Sequence, residues 1–186
     1  MPIERSLAAV VARRLERPIQ WLLNRPPLRA WLRQRALRAW RDASPLLILC
    51  HGNVNRSAFA AALAGARGRS GASSAGFYPH EGRSSPEATV ACAARYGADL
   101  SAHRSRRIER EELRSAEAIF VFDLENVARV AALDPPALVR THLLGTLDDD
   151  PGVLIADPHG RGSEALEETL ARIARAVEHG DSSRSV

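Results

Sequence analysis

The run Leu46-Leu47-Ile48-Leu49 has no polar position, and a strand without a polar side must be covered on both faces. A parallel sheet with helices above and below meets that condition, and the chain after Pro45 is patterned for one. Ser57 to Ala66 is rich in Ala and Leu and reads as a helix, and Ser70 to Phe77 reads as a second strand. Pro86 to Tyr96 reads as a helix stopped by Gly97. Ala118 to Phe122 is another apolar strand, Glu125 to Leu133 a helix ended by Asp134-Pro135-Pro136, and Thr141 to Leu144 a weaker fourth strand. Ser163 to His179 closes the pattern as a long helix, with Ser163 as its N-cap and Leu166, Leu170, Ile173 and Val177 on one face. Strands alternating with helices imply right-handed crossovers, hence an α/β fold with a four-stranded parallel sheet flanked by helices on both faces, Rossmann-like. Ligands in such sheets bind beyond the carboxyl ends of the strands.

Charge divides the chain in two. All 26 basic residues are Arg, a preference that suits a GC-rich genome and carries no function by itself. Residues 1–44 hold ten of them against three acids, a net +7, while residues 45–186 hold sixteen against nineteen, a net −3. We therefore expect a basic amphipathic helical extension at 1–44 and a mildly acidic α/β domain at 45–186. Pro26-Pro27 splits the extension. Ile3, Leu7, Val11 and Leu15 fall on one face of its first half, and Leu28, Trp31, Leu32, Ala36 and Trp40 form a stripe in its second, with Arg29, Arg33 and Arg41 away from that stripe. Such stripes pack on the body of the protein or on a second copy, or dock a membrane surface or a partner. A cleaved organellar transit peptide also suits an Arg-rich, acid-poor start. The chain has no apolar run of the roughly 18 residues that a spanning helix needs. Two cysteines without a secretory signal point to a reducing, cytoplasmic compartment.

The loop after the first strand is Cys50-His51-Gly52-Asn53-Val54-Asn55-Arg56-Ser57. A buried strand delivers the thiol, Gly and Asn tolerate positive φ, and a helix begins at Arg56-Ser57. Curled between strand and helix, its successive N–H groups make an anion nest backed by the helix dipole. Arg56 adds a planar fork that grips two oxygens of a tetrahedral anion. The same field favours the thiolate of Cys50, poised to attack phosphorus. Ser57 is placed to hydrogen-bond that sulfur, and Asn53 to hold the nest.

These residues resemble the signature of the low-molecular-weight protein tyrosine phosphatases, Cys-x-Gly-Asn-x-Cys-Arg-Ser. Ser74-Ala75-Gly76, the block Gly97 to Arg106, Phe122-Asp123 with Asn126, and Asp157-Pro158 agree in order and spacing across about residues 45–179. The resemblance implies a protein-tyrosine-phosphatase acting on phosphotyrosine proteins through a phosphocysteine on Cys50, without cofactor or metal, and a bacterial chain. Regulation of polysaccharide export is common among bacterial relatives. Three positions depart from the pattern. Asn55 stands where the family usually has a second cysteine, which removes disulfide protection by that route. His159 stands where an aromatic is usual, and Phe77 where Thr is common.

A phenolate leaving group needs a proton from a carboxylic acid on a separate loop. Asp134 reads as a helix stop, and Asp150 belongs to Asp148-Asp149-Asp150, which reads as a solvated loop. Asp157 follows the apolar Val153 to Ala156, is stiffened by Pro158 and matches the family's general acid. Tyr78, His80 and His159 are candidates for the pocket lip, and His51, Gly52, Val54 and Asn55 for phosphate binding. His103 is a brace for the loop or a surface residue. Cys92 reads as core, and Arg104, Arg106, Arg107 and Arg110 as a solvated face. No metal-ligand spacing occurs among the six His, and no nucleic-acid partner is expected. Arsenate reductase chemistry on the same fold needs further cysteines near the third strand, and Phe122 to Leu133 holds none. A phosphoarginine phosphatase favours Thr where Val54 stands, while an apolar Val suits an aromatic ring. A non-catalytic phosphate-binding module docked by the arm is the reading from a different class. Removing residues 1–44 is expected to spare activity on small substrates.

Overall fold

The computed structural model describes residues 17–150 and 152–183. Its sheet has four parallel strands, β1 (Leu46–Cys50), β2 (Ala72–Gly76), β3 (Ala118–Val121) and β4 (Thr141–Leu143), in the order β2-β1-β3-β4. From β1 the chain crosses through α2 (Arg56–Ala66) to β2 on one side, then returns to β3 on the other. The order therefore reverses beside β1, and the loop leaving Cys50 opens into the crevice that such a reversal creates.

Alternation along the strands splits the core into two layers. Leu46, Ile48 and Phe120 face α2, α1 (Pro26–Asp42) and α6 (Gly162–Ser182), while Leu47, Leu49, Ile119 and Val121 face α4 (Arg110–Ser115) and α5 (Leu124–Leu133). The first layer also takes Cys92 from α3 (Glu87–Ala94). Every residue of β1 and β3 is buried, as their unbroken apolar runs require.

The described part of the extension packs on the body. Residues 17–23 are helical, and α1 follows after a turn, with Pro26-Pro27 inside its first turn, where no N–H is wanted. Trp40 is fully buried, edge-on to Phe120 at 5.1 Å between centroids, and donates from Nε1 to Asp181 Oδ1 at 3.0 Å. A Cβ on Gly180 of α6 would come within 2.7 Å of the Trp40 ring, so the two helices meet where glycine leaves room. The expected stripe is only partly buried: Trp31 remains exposed, because the face that packs runs through Ala36 and Trp40. The stripe from Ile3 to Leu15 lies outside the described residues. No helix among the described residues is long and apolar enough to cross a membrane.

Other expectations need correction. Ser163 lies inside α6 rather than capping it; Arg161 holds the cap position without a side-chain bond, since Gly162 at φ 86° turns the chain into the helix. Asp148-Asp149-Asp150 is solvated only in part: Asp149 stays exposed, but Asp148 does not. Asp148 is fully buried and takes Arg175 through two bonds, Nε to Oδ1 at 3.1 Å and Nη2 to Oδ2 at 3.0 Å. Arg29 and Arg33 do not simply face solvent; both reach this loop. The sequence pattern also gave no sign of α4, which is a six-residue helix too short to show a period.

Candidate active site

β1 ends at Cys50, and the next five residues curl back to start α2 at Arg56. Asn53 makes the turn possible. Among the described residues it is the one non-glycine with positive φ, 51°, in the left-handed region that Asn tolerates better than most. Its amide donates to Cys50 Sγ at 3.2 Å, and its side chain ties the loop from below. Nδ2 donates to Ser57 Oγ at 3.0 Å and Ser74 Oγ at 2.9 Å, while Oδ1 accepts from the Arg106 amide at 3.0 Å. His103 Nε2 lies 2.7 Å from the Asn53 carbonyl, so His103 is the loop brace. Gly76 is also required, because a Cβ there would meet the His51 carbonyl at 2.9 Å and the Asn53 amide at 3.0 Å. β2 thus presses its end against the loop through the Ser74-Ala75-Gly76 block. Cys50 is 3% exposed, with Ser57 Oγ 3.0 Å from its sulfur.

Asn55, in the place of the family's second cysteine, accepts from Thr89 Oγ1 at 2.7 Å and so fastens the loop to α3.

Arg56 is 1% exposed and held by two carboxylates. Nη1 donates to Asp123 Oδ2 at 2.6 Å and the Ile155 carbonyl at 3.0 Å, and Nη2 donates to Asp157 Oδ2 at 2.7 Å. Burial works against its charge, but Asp123, then Asp157 and Cys50, outweigh that and hold its pKa above the usual value. Asp123 is itself fixed as the cap of α5, accepting from the Asn126 amide at 2.8 Å. Asp157 is more open, with its side chain 39% exposed. Its Oδ1 accepts from the His159 amide at 3.2 Å.

A cleft of about 480 Å³ opens over these groups. Cys50, His51, Gly52, Val54, Asn55, Arg56, Tyr78, Asp157 and His159 line it, so the structure brings together most of the expected site. Asn53 and Ser57 lie beneath the loop and act through it. His80 is exposed and lies beside Tyr78, at 5.3 Å between rings, but does not itself line the cleft. Arg104, Arg107 and Arg110 are exposed, while Arg106 is half-buried on the same face and pairs with both oxygens of Glu112 at 2.7 Å. Arg83, Ser84 and Pro86 also line the cleft but follow no motif in the sequence. Arg83 donates to the Gly52 carbonyl at 2.6 Å and lies over the Tyr78 ring at 4.4 Å, contacts between distant segments that spacing alone does not reveal. Burial, then the positive charge of Arg129, push the His51 imidazole below its ordinary pKa, so it lines the cleft as a neutral ring. No group of three or more His, Cys, Asp or Glu suited to a metal ion occurs among the described residues.

The sequence matches the family described as low molecular weight phosphotyrosine protein phosphatase over residues 45–179. It is 30% identical over 135 residues to the probable low molecular weight protein-tyrosine-phosphatase EpsP of Ralstonia nicotianae, spanning 72% of this chain and 90% of that protein. It is 28% identical over 137 residues to the low molecular weight protein-tyrosine-phosphatase Etp of Escherichia coli K12, spanning 70% and 88%. The crystal structure of the tyrosine phosphatase amsI of Erwinia amylovora is similar with a TM-score of 0.69 at 23% identity, over 75% of this chain and 92% of that one. The arginine phosphatase YwlE of Geobacillus stearothermophilus is similar with a TM-score of 0.67, also at 23% identity and the same coverage.

Proposed function

The chain belongs to the low molecular weight phosphotyrosine protein phosphatase family, and on that premise we propose that it hydrolyses phosphotyrosine in proteins through a phosphocysteine on Cys50. The observation that carries this reading is the convergence of the Cys50 sulfur, the Arg56 fork and the Asp157 carboxyl on one cleft. The phosphoryl group enters the nest of loop amides and takes the Asp157 place on Arg56 Nη2, while Asp123 keeps the guanidinium aimed. Once displaced from Arg56, Asp157 takes up a proton from solvent; Cys50 Sγ attacks phosphorus, the P–O bond to the phenol breaks, and Asp157 gives that proton to the leaving oxygen. Asp157 then takes a proton from water, whose oxygen attacks phosphorus. The S–P bond breaks, and phosphate and the thiolate are released.

The neutral His51 ring, Val54 and Tyr78 form a wall that suits an aromatic leaving group. A phosphoarginine has no ring to place there, and the lone Cys92, packed in the core, offers no relay for arsenate reduction. Steady-state turnover of p-nitrophenyl phosphate, lost in Cys50→Ser, and preference for phosphotyrosine over phosphoserine and phosphoarginine peptides test the reading. No turnover by the intact chain favours a phosphate-binding module.

We also propose that the enzyme works in the cytoplasm and rests against anionic lipid through its arm. Among the described residues, the large exposed apolar side chains are Trp21, Leu22, Trp31, Leu138 and Val139, and three of these lie on the arm beside exposed Arg17, Arg25 and Arg38. The arm's net +7 repels a second copy and suits negative headgroups. Co-sedimentation with phosphatidylglycerol vesicles but not phosphatidylcholine vesicles supports this, and equal behaviour with both overturns it.

A further inference from the structure

The segment that carries Asp157 has few bonds of its own. Residues 152–158 form neither helix nor strand, and their tie toward the sheet is the Ile155 amide, which donates to the carbonyl of Phe122, just past β3, at 2.8 Å. Its carbonyls, with those just before it, are instead held by arginines from three separate helices. Arg29 of α1 donates from Nη2 to the carbonyls of Asp148 and Asp149, each at 3.1 Å, and also to that of Asp150. Arg33 of α1 donates to the Asp148 carbonyl at 3.1 Å and pairs with the Asp149 carboxylate at 2.7 Å. Arg172 of α6 donates to the carbonyls of Gly152 and, at 2.9 Å, Leu154. Arg56 holds the Ile155 carbonyl and then Asp157 itself.

We propose that α1 is a positioning element for the general acid: Arg29 and Arg33 anchor the start of the Asp157 segment and so set where that carboxyl stands over Cys50. The inference rests on Asp157 being the proton donor. Three features support it. The anchored carbonyls are those of residues 148, 149, 150, 152, 154 and 155, so a slip at the start is passed along a chain with little sheet pairing to absorb it. Asp148 is buried and fixed by Arg175, which gives the anchor a rigid base. Gly145 allows the Val153 carbonyl to lie 2.5 Å from where a Cβ would be, so close packing leaves the segment no slack to take up a shift at its start. Arg29 and Arg33 precede residue 45, where the family match begins, so this anchoring belongs to the extension of this chain. Neither residue touches the cleft; both act through the segment.

The experiment uses the full chain with Arg29→Ala, Arg33→Ala and both together, and reads kcat/KM for phenyl phosphate and for p-nitrophenyl phosphate. A misplaced acid penalises the poor leaving group: displacement by about 1 Å costs up to about 100-fold, so a loss of about tenfold on phenyl phosphate with less than about threefold on p-nitrophenyl phosphate is expected of the double variant. Arg29→Lys should restore part of the loss. Equal losses on both substrates, or none, with an unchanged melting temperature overturn the proposal. If the double variant does not fold, Arg29→Lys alone decides: its ratio of the two kcat/KM values must move in the same direction. Asp157→Ala is the control. If it shows no leaving-group dependence, the acid assignment fails; if it does and the arm variants do not, only the anchoring fails.

Discussion

Arg56 carries more of the site than any other residue, because two carboxylates, a carbonyl and the Phe122 ring all fix one buried guanidinium. In the proposed mechanism its planar fork lets Asp123 aim one nitrogen while the other, now on Asp157, meets phosphate. An ammonium cannot divide its donors in that way. Arg56→Lys should lower kcat/KM for p-nitrophenyl phosphate by about 100-fold or more, in line with loss of an oxyanion donor. A loss under about fivefold would contradict the two-pronged role. Asn53 acts differently, by shape. Its side chain serves Ser57, Ser74 and the Arg106 amide while its backbone turns through positive φ, so these three partners lose their bond together in Asn53→Ala. That variant should fold with about 2–3 kcal/mol less stability, the scale of buried groups left unsatisfied, and denaturant titration reads it. The sequence singles out Cys50, Asn53 and Arg56 by one loop motif and Asp157 by its apolar lead-in, Pro158 and its resemblance to the family's general acid, and the structure gathers them around one cleft. Arg83 was not legible there, since its place depends on a contact with Gly52 across 31 positions.

Among the elements, β4 shows how an edge strand is covered. His142 stacks on Phe120, with ring centroids 5.3 Å apart, in a groove closed by Leu23, Leu32 and Arg35 of the arm. Burial, and then the nearby Arg35 charge, push His142 down to about 4 from an ordinary 6.5. The folded chain thus refuses a proton that the unfolded chain accepts, so stability is complete above about pH 6.5 and falls as pH drops toward 4. The shift is worth up to about 3 kcal/mol. His142→Phe, which keeps the stack, should flatten that part of the stability curve measured by urea unfolding between pH 7 and 4.5; identical slopes in both chains would contradict it. Strand and helix positions followed from apolar runs, and each predicted strand overlaps an observed one. The burial of Asp148 did not follow from sequence, because three consecutive acids read as solvated until arginines from α1 and α6 are brought to them.

At the scale of the molecule, the extension and the body are one packed object in the described region. Trp40 and Ala36 belong to the same core layer as Leu46, Ile48 and Phe120. Removing residues 1–44 would take Trp40 and Ala36 out of that layer, a cost that bears on the expectation that such a deletion spares activity on small substrates. Loss of a buried Trp costs about 3–5 kcal/mol, so Trp40→Ala should lower the melting temperature by about 10 °C for a chain of this size. A shift under about 2 °C would mean that α1 is an appendage. The family match begins at residue 45 and so marks where the chemistry lies, not where folding is independent. All of that chemistry depends on a covalent bond between the Cys50 sulfur and phosphorus. Rapid quenching of the full chain with a labelled phosphotyrosyl peptide tests it most directly. Label should appear on Cys50 within the first turnover, with one phenol released per site before the steady state. Label on another residue, or steady turnover with no labelled protein at any time, would contradict the account.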